Sequence, residues 1–450
     1  MNSKAFYLVS LGCAKNTVDS ESMSAMLQEE GFFPVEKPSQ ASLLIVNTCG
    51  FIQPAREESI QVLNELAGKK KKNQLLIAAG CLIDRYRTNL AEQVSGLDAI
   101  LSTRRWMDIV DVVQKLRGAQ PHPISLYNLP ESPTVGKDER GVLRAAIQGG
   151  SAYLKIADGC RRPCAFCSIP LIKGTTVSRP LDTILHETKV LQDMGLQELV
   201  LIAQDTTDYG HDLGMADGLS TLLKQVVKVA PDIPWIRILY AFPGYVTDGL
   251  IQTMVENPQI LHYLDMPLQH AHHDTLRRMK RPANIEWVHK TLAKMRQAMP
   301  DLALRTTFIV GYPGETEAEF QTLLDFVQEI KFDHVGAFPF SFEPGTTSEP
   351  LGDPVAPEVK QERLERLMLL QQNISMLRNQ GLVGKHLDVL VEGYDNGISI
   401  GRSYRDAPEI DGLVLIEGQA PVGEIVPVRV TSALPHDLTA QLLPVSVPPM

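Results

Sequence analysis

The six cysteines of the 450-residue chain fall into two sets of three. Cys160, Cys164 and Cys167 lie within the segment GCRRPCAFCSIP, in the spacing C-x3-C-x2-C. Three thiolates on one short loop can bind three irons of a four-iron cluster, which leaves the fourth iron for an external ligand. Structural zinc sites differ, because they use pairs of C-x2-C motifs and four protein ligands. The spacing therefore favours an open iron–sulfur cluster over structural zinc.

The second set is dispersed along the chain, and consists of Cys13, Cys49 and Cys81. Each cysteine follows a short apolar segment that predicts a β-strand leading into a helix. These segments are AFYLVSLG, SLLIVNT and QLLIAAG. Because parallel strands point their carboxyl ends the same way, we expect the three thiols to meet at one sheet edge and bind a second cluster. The alternative is three separate, small buried side chains.

The composition is typical of a soluble globular protein, with 44% hydrophobic and 21% charged residues. No apolar run approaches the roughly 18 residues of a membrane-spanning helix, and the N-terminal segment lacks a secretory cleavage site. We therefore expect a cytoplasmic protein without a membrane partner, whose cysteines serve metal binding or catalysis; a secreted protein would instead form disulfides. The formal net charge of −10 gives no sign of the basic surface that binds DNA.

The order of apolar segments predicts an α/β chain of three domains. Residues 1–117 contain βα repeats and form the predicted N-terminal cluster-binding domain, and residues 118–145, rich in Pro, Gly and Ser, form a predicted linker. Six further βα units in residues 146–380 predict a partial (βα)6 barrel that ends in a helix over 357–380. Residues 381–450 change to short strands separated by turn residues, which predicts a small antiparallel β-barrel.

Polar residues lie at the ends of several predicted barrel strands. Gln204 and Asp205 end ELVLIAQD, Gln269 lies at the end of HYLDMPLQ, and Arg305 enters LRTTFIVG. Ligands of α/β barrels bind at the carboxyl ends of the strands, so we favour ligand contacts over surface hydrogen bonds for these side chains.

The segment IVGYPGETEAEF, residues 309–320, predicts a strand, a Gly-Tyr-Pro-Gly turn and the start of a helix. Its backbone could approach a ligand, but ordinary helix capping explains Glu315 equally well. Phe166, between the last two cysteines, either presents its backbone to a ligand or shields the cluster from water.

The C-x3-C-x2-C motif after the first strand of a six-unit barrel resembles the radical S-adenosylmethionine (SAM) superfamily. The resemblance implies that the methionine part of SAM occupies the open iron. An electron, from a donor such as flavodoxin or ferredoxin, then cleaves SAM to methionine and a 5′-deoxyadenosyl radical. It also implies SAM contacts for Phe166, Gln204, Asp205, Gln269, Arg305, Gly311, Pro313, Gly314 and Glu315.

The motifs LGCAKN, NTCGFI and AAGCL, together with GCRRPCAFC and the terminal β-domain, are similar to those of the methylthiotransferases. This family combines an N-terminal cluster domain, a radical SAM barrel and a TRAM domain. The resemblance implies two 4Fe-4S clusters, one per cysteine set, and conversion of C–H to C–S–CH3 with two SAM molecules. A radical removes hydrogen rather than a proton, so no catalytic residue beyond the clusters is assigned, and the two open irons must face one water-poor cavity.

The family divides into enzymes that modify transfer-RNA adenosine and enzymes that modify a protein. Residues 381–450 contain four basic and nine acidic residues. This balance repels phosphate and attracts a basic protein. A net count does not give the positions of the charges, so a local basic stripe is the alternative. The segments GRSYRDAPEIDGLV, PLQHA and QDTTDYG resemble the protein-modifying branch. That resemblance implies methylthiolation at the β-carbon of an aspartate in basic ribosomal protein S-twelve, free or within the small ribosomal subunit; a tRNA adenosine methylthiotransferase is the alternative.

Overall fold

The computed structural model describes residues 4–118, 126–128 and 141–444. It confirms the predicted α/β architecture, with an N-terminal parallel sheet, a partial barrel and a small closed β-barrel in succession. None of the helices in these ranges is both long and apolar enough to cross a membrane. Most of the predicted linker 118–145 lies outside the described residues, and the domain boundaries stay predictions.

The N-terminal part is a six-stranded sheet of parallel strands with helices on its faces. Its strands are β1 (Ala5–Ser10), β2 (Phe33–Pro34), β3 (Leu43–Thr48), β4 (Leu75–Gly80), β5 (Ala99–Ser102) and β6 (Leu126–Asn128). Its helices are α1 (Ala14–Glu29), α2 (Gln53–Lys69), α3 (Cys81–Tyr86), α4 (Leu90–Gln93) and α5 (Ile109–Gly118). Every residue of β3 is buried, as expected for a central strand covered on both faces.

The strand order of this sheet is β2-β1-β3-β4-β5-β6. The chain therefore adds β2 on one side of β1 and β3 on the other. Open α/β sheets leave a crevice for ligands at such a point, at the carboxyl ends of the strands. The last strand, β6, lies inside the predicted linker and pairs with β5.

The described residues of the middle part form nine strands, six of which are parallel and lie in two adjoining sheets. Its strands are β7 (Ala145–Gln148), β8 (Ser151–Lys155), β9 (Ala157–Asp158), β10 (Val177–Ser178), β11 (Glu198–Ile202), β12 (Trp235–Ile238), β13 (Tyr263–Asp265), β14 (Ala303–Val310) and β15 (His334–Pro339). Its helices are α6 (Ile169–Lys173), α7 (Leu181–Asp193), α8 (Gly218–Val229), α9 (Asp248–Glu256), α10 (His273–Arg278), α11 (Ile285–Ala298), α12 (Glu317–Ile330) and α13 (Pro357–Gln380). A parallel bridge between Ile236 and Ile260 joins the sheet of β8, β11 and β12 to that of β13, β14 and β15.

The C-terminal part is a closed five-stranded barrel. Its strands are β16 (His386–Asp395), β17 (Ile398–Ser403), β18 (Val414–Glu417), β19 (Ile425–Ala433) and β20 (Leu438–Leu442). They close in the order β16-β17-β18-β20-β19, with a parallel pair between β18 and β20. Alternate residues such as Val426, Val428 and Val430 of β19 fill the interior.

Buried ion pairs attach this small barrel to the partial barrel. Arg402 of β17 binds Glu198 of β11 at 2.6 Å, and Arg237 of β12 binds the other oxygen of the same carboxylate at 2.7 Å. Arg405 binds Asp333 at 2.5 Å. Two of the four basic residues of the C-terminal barrel are therefore neutralised inside the molecule, where they cannot attract phosphate.

The Glu198 ion pair should make stability depend on acid pH. Burial alone raises the pKa of Glu198, but the charges of Arg237 and Arg402 outweigh it and lower the pKa to about 2. Because this pKa is lower in the folded state than in the unfolded state, the pair stabilises the fold above about pH 4.3 and the contribution is lost as pH falls toward 2. At pH 7, Glu198→Gln should reduce the free energy of unfolding by about 3 kcal/mol.

Chemical denaturation at a series of pH values tests this expectation. The difference between Glu198→Gln and the unmodified protein should narrow from pH 5 toward pH 2; a constant difference would show that the carboxylate charge contributes nothing. Glu392→Gln is the control, because Glu392 binds the same Arg402 at 2.7 Å but its side chain is 36% exposed. An exposed pair should contribute less than about 1 kcal/mol.

Candidate functional site

The three dispersed cysteines meet at the carboxyl edge of the N-terminal sheet. Cys13, Cys49 and Cys81 follow the adjacent strands β1, β3 and β4, whose ends are level in the sheet. A Cβ added to Gly12 would lie 2.9 Å from the Cys49 sulfur, and one added to Gly50 would lie 2.7 Å from the Cys81 carbonyl carbon. The loops are thus in direct contact, as the βα pattern predicts.

Buried polar side chains fix these three loops relative to one another. The Asn16 amide donates hydrogen bonds to the carbonyls of Leu11, at 2.8 Å, and Thr48, at 3.0 Å, and its oxygen lies 3.6 Å from the Cys81 sulfur. The Ser59 hydroxyl accepts from the Cys49 backbone N–H and donates to its carbonyl oxygen. These hydrogen bonds therefore hold the three cysteine loops in a fixed relation to one another.

The electrostatic surroundings differ among these three thiols. Burial raises the pKa of Cys49 to about 11 and raises that of Cys81 further. Cys13 is the exposed cysteine of this set, and the charge of Lys15 and the N–H groups of the first turn of α1 outweigh its loss of hydration and bring its pKa below the ordinary value. Because iron binds thiolates, cluster assembly on this set must release protons.

The second set lies on the loop that follows β9, above the partial barrel. The Cys160 backbone N–H donates to the Gly174 carbonyl at 3.0 Å, which closes the loop. The Arg162 N–H lies 3.5 Å from the Cys160 sulfur, and the Arg281 guanidinium lies 3.5 Å from the Cys164 sulfur. All three cysteines line a cavity of about 570 Å³.

The donors in both sets fit iron–sulfur clusters. All six cysteines are free thiols, and burial raises the pKa of Cys160 to about 11 and that of Cys167 to about 12. Among the described residues, no three histidine, cysteine or carboxylate side chains are arranged for a single metal ion. A four-iron cluster requires a wider arrangement, because each thiolate binds a different iron.

The two cysteine loops contact each other across the domain interface. Ser168, which follows Cys167, donates a hydrogen bond of 3.0 Å to the carbonyl of Phe51, two residues after Cys49. Arg104 of the N-terminal part donates to the Ile172 carbonyl at 2.6 Å and so holds α6 against the sheet. The two candidate cluster sites are therefore neighbours, as a shared cavity requires.

A buried charge cluster lies in the same interface. It consists of three cations and two carboxylates: Arg144, Lys155, Lys173, Asp19 and Asp158. Lys173 binds Asp158 at 2.9 Å and Asp19 at 3.3 Å, while Lys155 binds Asp19 at 2.5 Å and Asp158 at 3.1 Å. The nearby cations outweigh burial and lower the pKa of both carboxyls, which leaves one positive charge in excess. The charge of Lys173 also acts to lower the pKa of Cys13 and Cys81.

Several of the predicted SAM contacts lie beside the Cys160 loop. Phe166 packs against a cluster of Met279, Tyr312 and Phe340, of which Tyr312 belongs to the Gly-Tyr-Pro-Gly turn. Contact with SAM stays a prediction for Gly311, Pro313 and Gly314. The backbone of Gln269 has a φ of 74°, a strained value for a residue with a side chain. The buried Gln204 side-chain oxygen accepts no hydrogen bond from any residue that the structure describes, and its contact with SAM stays a prediction.

The charged members of the predicted set are paired with protein groups. Asp205 binds Arg162 at 2.6 Å. Arg305 binds Asp265 at 2.9 Å and Asp411 of the C-terminal barrel at 3.2 Å. Glu315 accepts from the Gly311 N–H at 2.5 Å and binds His270 at 2.9 Å and Arg363 at 2.6 Å. These side chains shape the loops around the site, and direct contact with SAM stays a prediction for each of them.

Two lysines of the site are absent from the sequence predictions. Lys15 lies within LGCAKN and contacts Tyr240 of the partial barrel, and Lys173 lies six residues after Cys167. Proximity to a cysteine motif was the available signal, but the direction in which each ammonium points depends on the packing of two domains.

Comparison with known proteins agrees with this architecture. The chain matches the "Uncharacterized protein family UPF0004" over residues 5–102, the radical SAM superfamily over 154–327 and the TRAM domain over 383–443. A protein of Roseiflexus sp. named ribosomal protein uS12 methylthiotransferase RimO is 46% identical, with 97% of each chain covered. A protein of the same name from Chloroflexus aurantiacus is 48% identical, with 97% of this chain and 99% of that protein covered.

Solved structures share the fold at low sequence identity. The radical S-adenosylmethionine methyltransferase TsrM from Kitasatospora setae superimposes with a TM-score of 0.57 at 14% identity, covering 79% of this chain and 80% of that chain. The cobalamin-dependent radical enzyme OxsB gives a TM-score of 0.51 at 12% identity, covering 82% and 56%. With full-length relatives at nearly half identity and all three domains matched, the chain belongs to the radical SAM methylthiotransferase family, in the group of ribosomal protein uS12 methylthiotransferases.

Proposed function

We propose that this protein inserts a methylthio group at the β-carbon of an aspartate of ribosomal protein uS12, the S-twelve protein of the sequence prediction. The observation that carries the proposal is the Ser168–Phe51 hydrogen bond, which places the two cysteine loops side by side. A reaction that activates carbon at one centre and supplies sulfur from another requires such proximity, because an activated carbon must meet its sulfur before it meets water.

Each cysteine set has one role in this proposal. Cys160, Cys164 and Cys167 would hold the cluster that binds SAM, and Cys13, Cys49 and Cys81 would hold the cluster that donates sulfur. When bound, these 4Fe-4S clusters and SAM supply the electron, the hydrogen-abstracting radical and the methylthio group. The Arg281 guanidinium lies 3.5 Å from the sulfur of Cys164, which would be a ligand of that cluster, and a hydrogen bond to this ligand would tune the reduction potential.

Contacts between the N-terminal sheet and the partial barrel hold the two cysteine loops in place. Glu343 is buried and forms ion pairs with Arg56 and with Arg85, the latter at 3.3 Å. It thereby links the partial barrel to the N-terminal sheet beside the two loops. Arg104 and Ser168 add the hydrogen bonds described above. Together these contacts hold the two loops against each other, which keeps the distance short that a reactive intermediate must cross to reach the sulfur.

The surface of the C-terminal barrel supports a basic protein substrate rather than RNA. Arg402 and Arg405 are buried, so the exposed charges of this barrel are two basic and six acidic residues. The exposed residues are Lys385, Arg429, Asp388, Glu392, Asp395, Glu409, Glu417 and Glu424. An acidic surface attracts a basic partner and repels a phosphate backbone.

An assay of the purified enzyme against both substrate classes tests the proposal. The protein, reconstituted anaerobically with iron and sulfide, is incubated with SAM and a reductant and with either uS12 or unmodified tRNA. We expect mass spectrometry to show one methylthio group on an aspartate of uS12 and none on adenosine. Product on tRNA alone would contradict the proposal and favour a tRNA adenosine methylthiotransferase.

The proposal also covers the electron donor of the enzyme and the form of its substrate. We propose a cytoplasmic enzyme that receives electrons from a flavodoxin or ferredoxin and meets uS12 either free or in the small ribosomal subunit. Comparing modification of purified uS12 with that of intact small subunits distinguishes these two substrate forms.

A further inference from the structure

Lys15 is a cation of the N-terminal sheet domain that points toward the partial barrel. It lies in the first turn of α1, two residues after Cys13, and its ammonium nitrogen is 3.4 Å from the centroid of the Tyr240 ring. Lys15 and Tyr240 are both partly exposed. The ammonium therefore lies between the N-terminal cysteine set and the carboxyl ends of the barrel strands.

No carboxylate among the described residues forms an ion pair with Lys15. The other lysines of this interface, Lys155 and Lys173, each bind two aspartates within 3.3 Å. Asp265, the acidic residue below Tyr240, is already bound by Arg305 and accepts from the Tyr240 N–H at 3.2 Å. Lys15 forms a side-chain hydrogen bond with Tyr240 and lies near the charged groups of Cys13 and Asp265, and its other N–H donors are available for a further anion.

Tyr240 is held in a position that supports this lysine. Its φ is 63°, in the left-handed region that residues with side chains rarely adopt. The Asp265 carboxylate fixes its N–H, and its carbonyl accepts from the Thr206 N–H at 3.1 Å. Such strain persists where the surrounding structure imposes it, commonly at binding sites. The ring contacts one side of the ammonium, whose nitrogen lies 3.4 Å from the ring centroid.

We propose that Lys15 binds the carboxylate of the substrate aspartate and thereby positions the β-carbon that is modified. The inference rests on the proposed function and names a specificity-determining residue for it. The β-carbon of aspartate is bonded directly to the carboxylate carbon, so an ion pair at Lys15 fixes that carbon beside the Cys13 loop. An adenine ring is neutral and gives this cation no equivalent partner.

Binding measurements with uS12 and its Asp→Asn variant at the target position test the assignment. With reconstituted enzyme and SAM, the unmodified enzyme should bind uS12 roughly tenfold to hundredfold more tightly than the Asp→Asn variant. Lys15→Met should bind both forms with equal affinity, and Lys15→Arg should retain a preference for aspartate. Lys15→Gln, which keeps length and polarity, serves as a second neutral variant if Lys15→Met fails to load iron.

Lys4→Met is the matched control, since Lys4 is a lysine of the same domain whose ammonium lies 5.8 Å from the Phe32 ring, in an exposed contact. It should keep the full preference for aspartate. The assignment would be overturned if both neutral Lys15 variants kept the preference for aspartate. It would also be overturned if these variants lost binding to tRNA instead of binding to uS12. Either result leaves the proposed function intact. If the unmodified enzyme neither binds nor modifies uS12, the proposed function fails and this inference fails with it.

Discussion

Cys49→Ala should abolish the methylthio product on uS12 while 5′-deoxyadenosine still forms from SAM. Cys49 lies in the N-terminal set, where its backbone is fixed by Ser59, whereas the cysteines that would bind SAM lie on a separate loop. Loss of one of three thiolates should remove the sulfur-donating cluster, so iron content should fall from about eight to about four per chain. The change removes only a sulfur atom from a position packed against Gly12, and the fold should persist.

Iron and sulfide analysis, together with mass spectrometry of uS12 and of the nucleoside product, measures this separation. Cys160→Ala is the matched control, because it should lower iron content equally but abolish both 5′-deoxyadenosine and the methylthio product. Full methylthio product from Cys49→Ala would contradict the assignment of sulfur donation to the N-terminal set. Loss of 5′-deoxyadenosine in Cys49→Ala would contradict the division of labour between the two sets.

The positions of the cysteines could be predicted from the sequence because local patterns determine them. Apolar segments set the strands, and parallel strands place whatever follows them at one edge, so Cys13, Cys49 and Cys81 converge as expected. The terminal helix of the partial barrel likewise begins and ends where predicted, at 357 and 380. The order of apolar segments also predicts the three-part α/β architecture, and the resemblance of the combined motifs adds the family to it.

Charge placement could not be predicted in this way, because it depends on packing between domains. The count over residues 381–450 treats Arg402 and Arg405 as surface charges, but Glu198 and Asp333 of the partial barrel bury both of them. Glu315 looked like either a ligand contact or a helix cap, and the structure shows it inside a network with His270 and Arg363. Each of these partners is distant in sequence, so no local pattern signals the pairing.

Lys173→Met should lower the reduction potential of the N-terminal cluster and weaken the interface between the two cluster domains. The ammonium of Lys173 is fully buried and acts on Cys13 and Cys81, and its removal cancels the single excess positive charge of the buried cluster. An electron added to iron near a positive charge is stabilised, so the potential should fall when that charge is lost. Leaving Asp19 and Asp158 with fewer cations should cost about 3 kcal/mol of the free energy of unfolding.

The potential is measured by a redox titration followed by electron paramagnetic resonance, in a Cys160→Ala background so that the N-terminal cluster is observed alone. Lys155→Met provides the control, since Lys155 binds the same two aspartates, at 2.5 Å and 3.1 Å, and should lose similar stability. The potential should shift more in Lys173→Met, because Lys173 is the lysine of this pair whose charge acts on Cys13 and Cys81. Equal shifts in the two variants would mean that the cluster responds to net charge alone. An unchanged potential in both would show that this buried charge does not reach the iron.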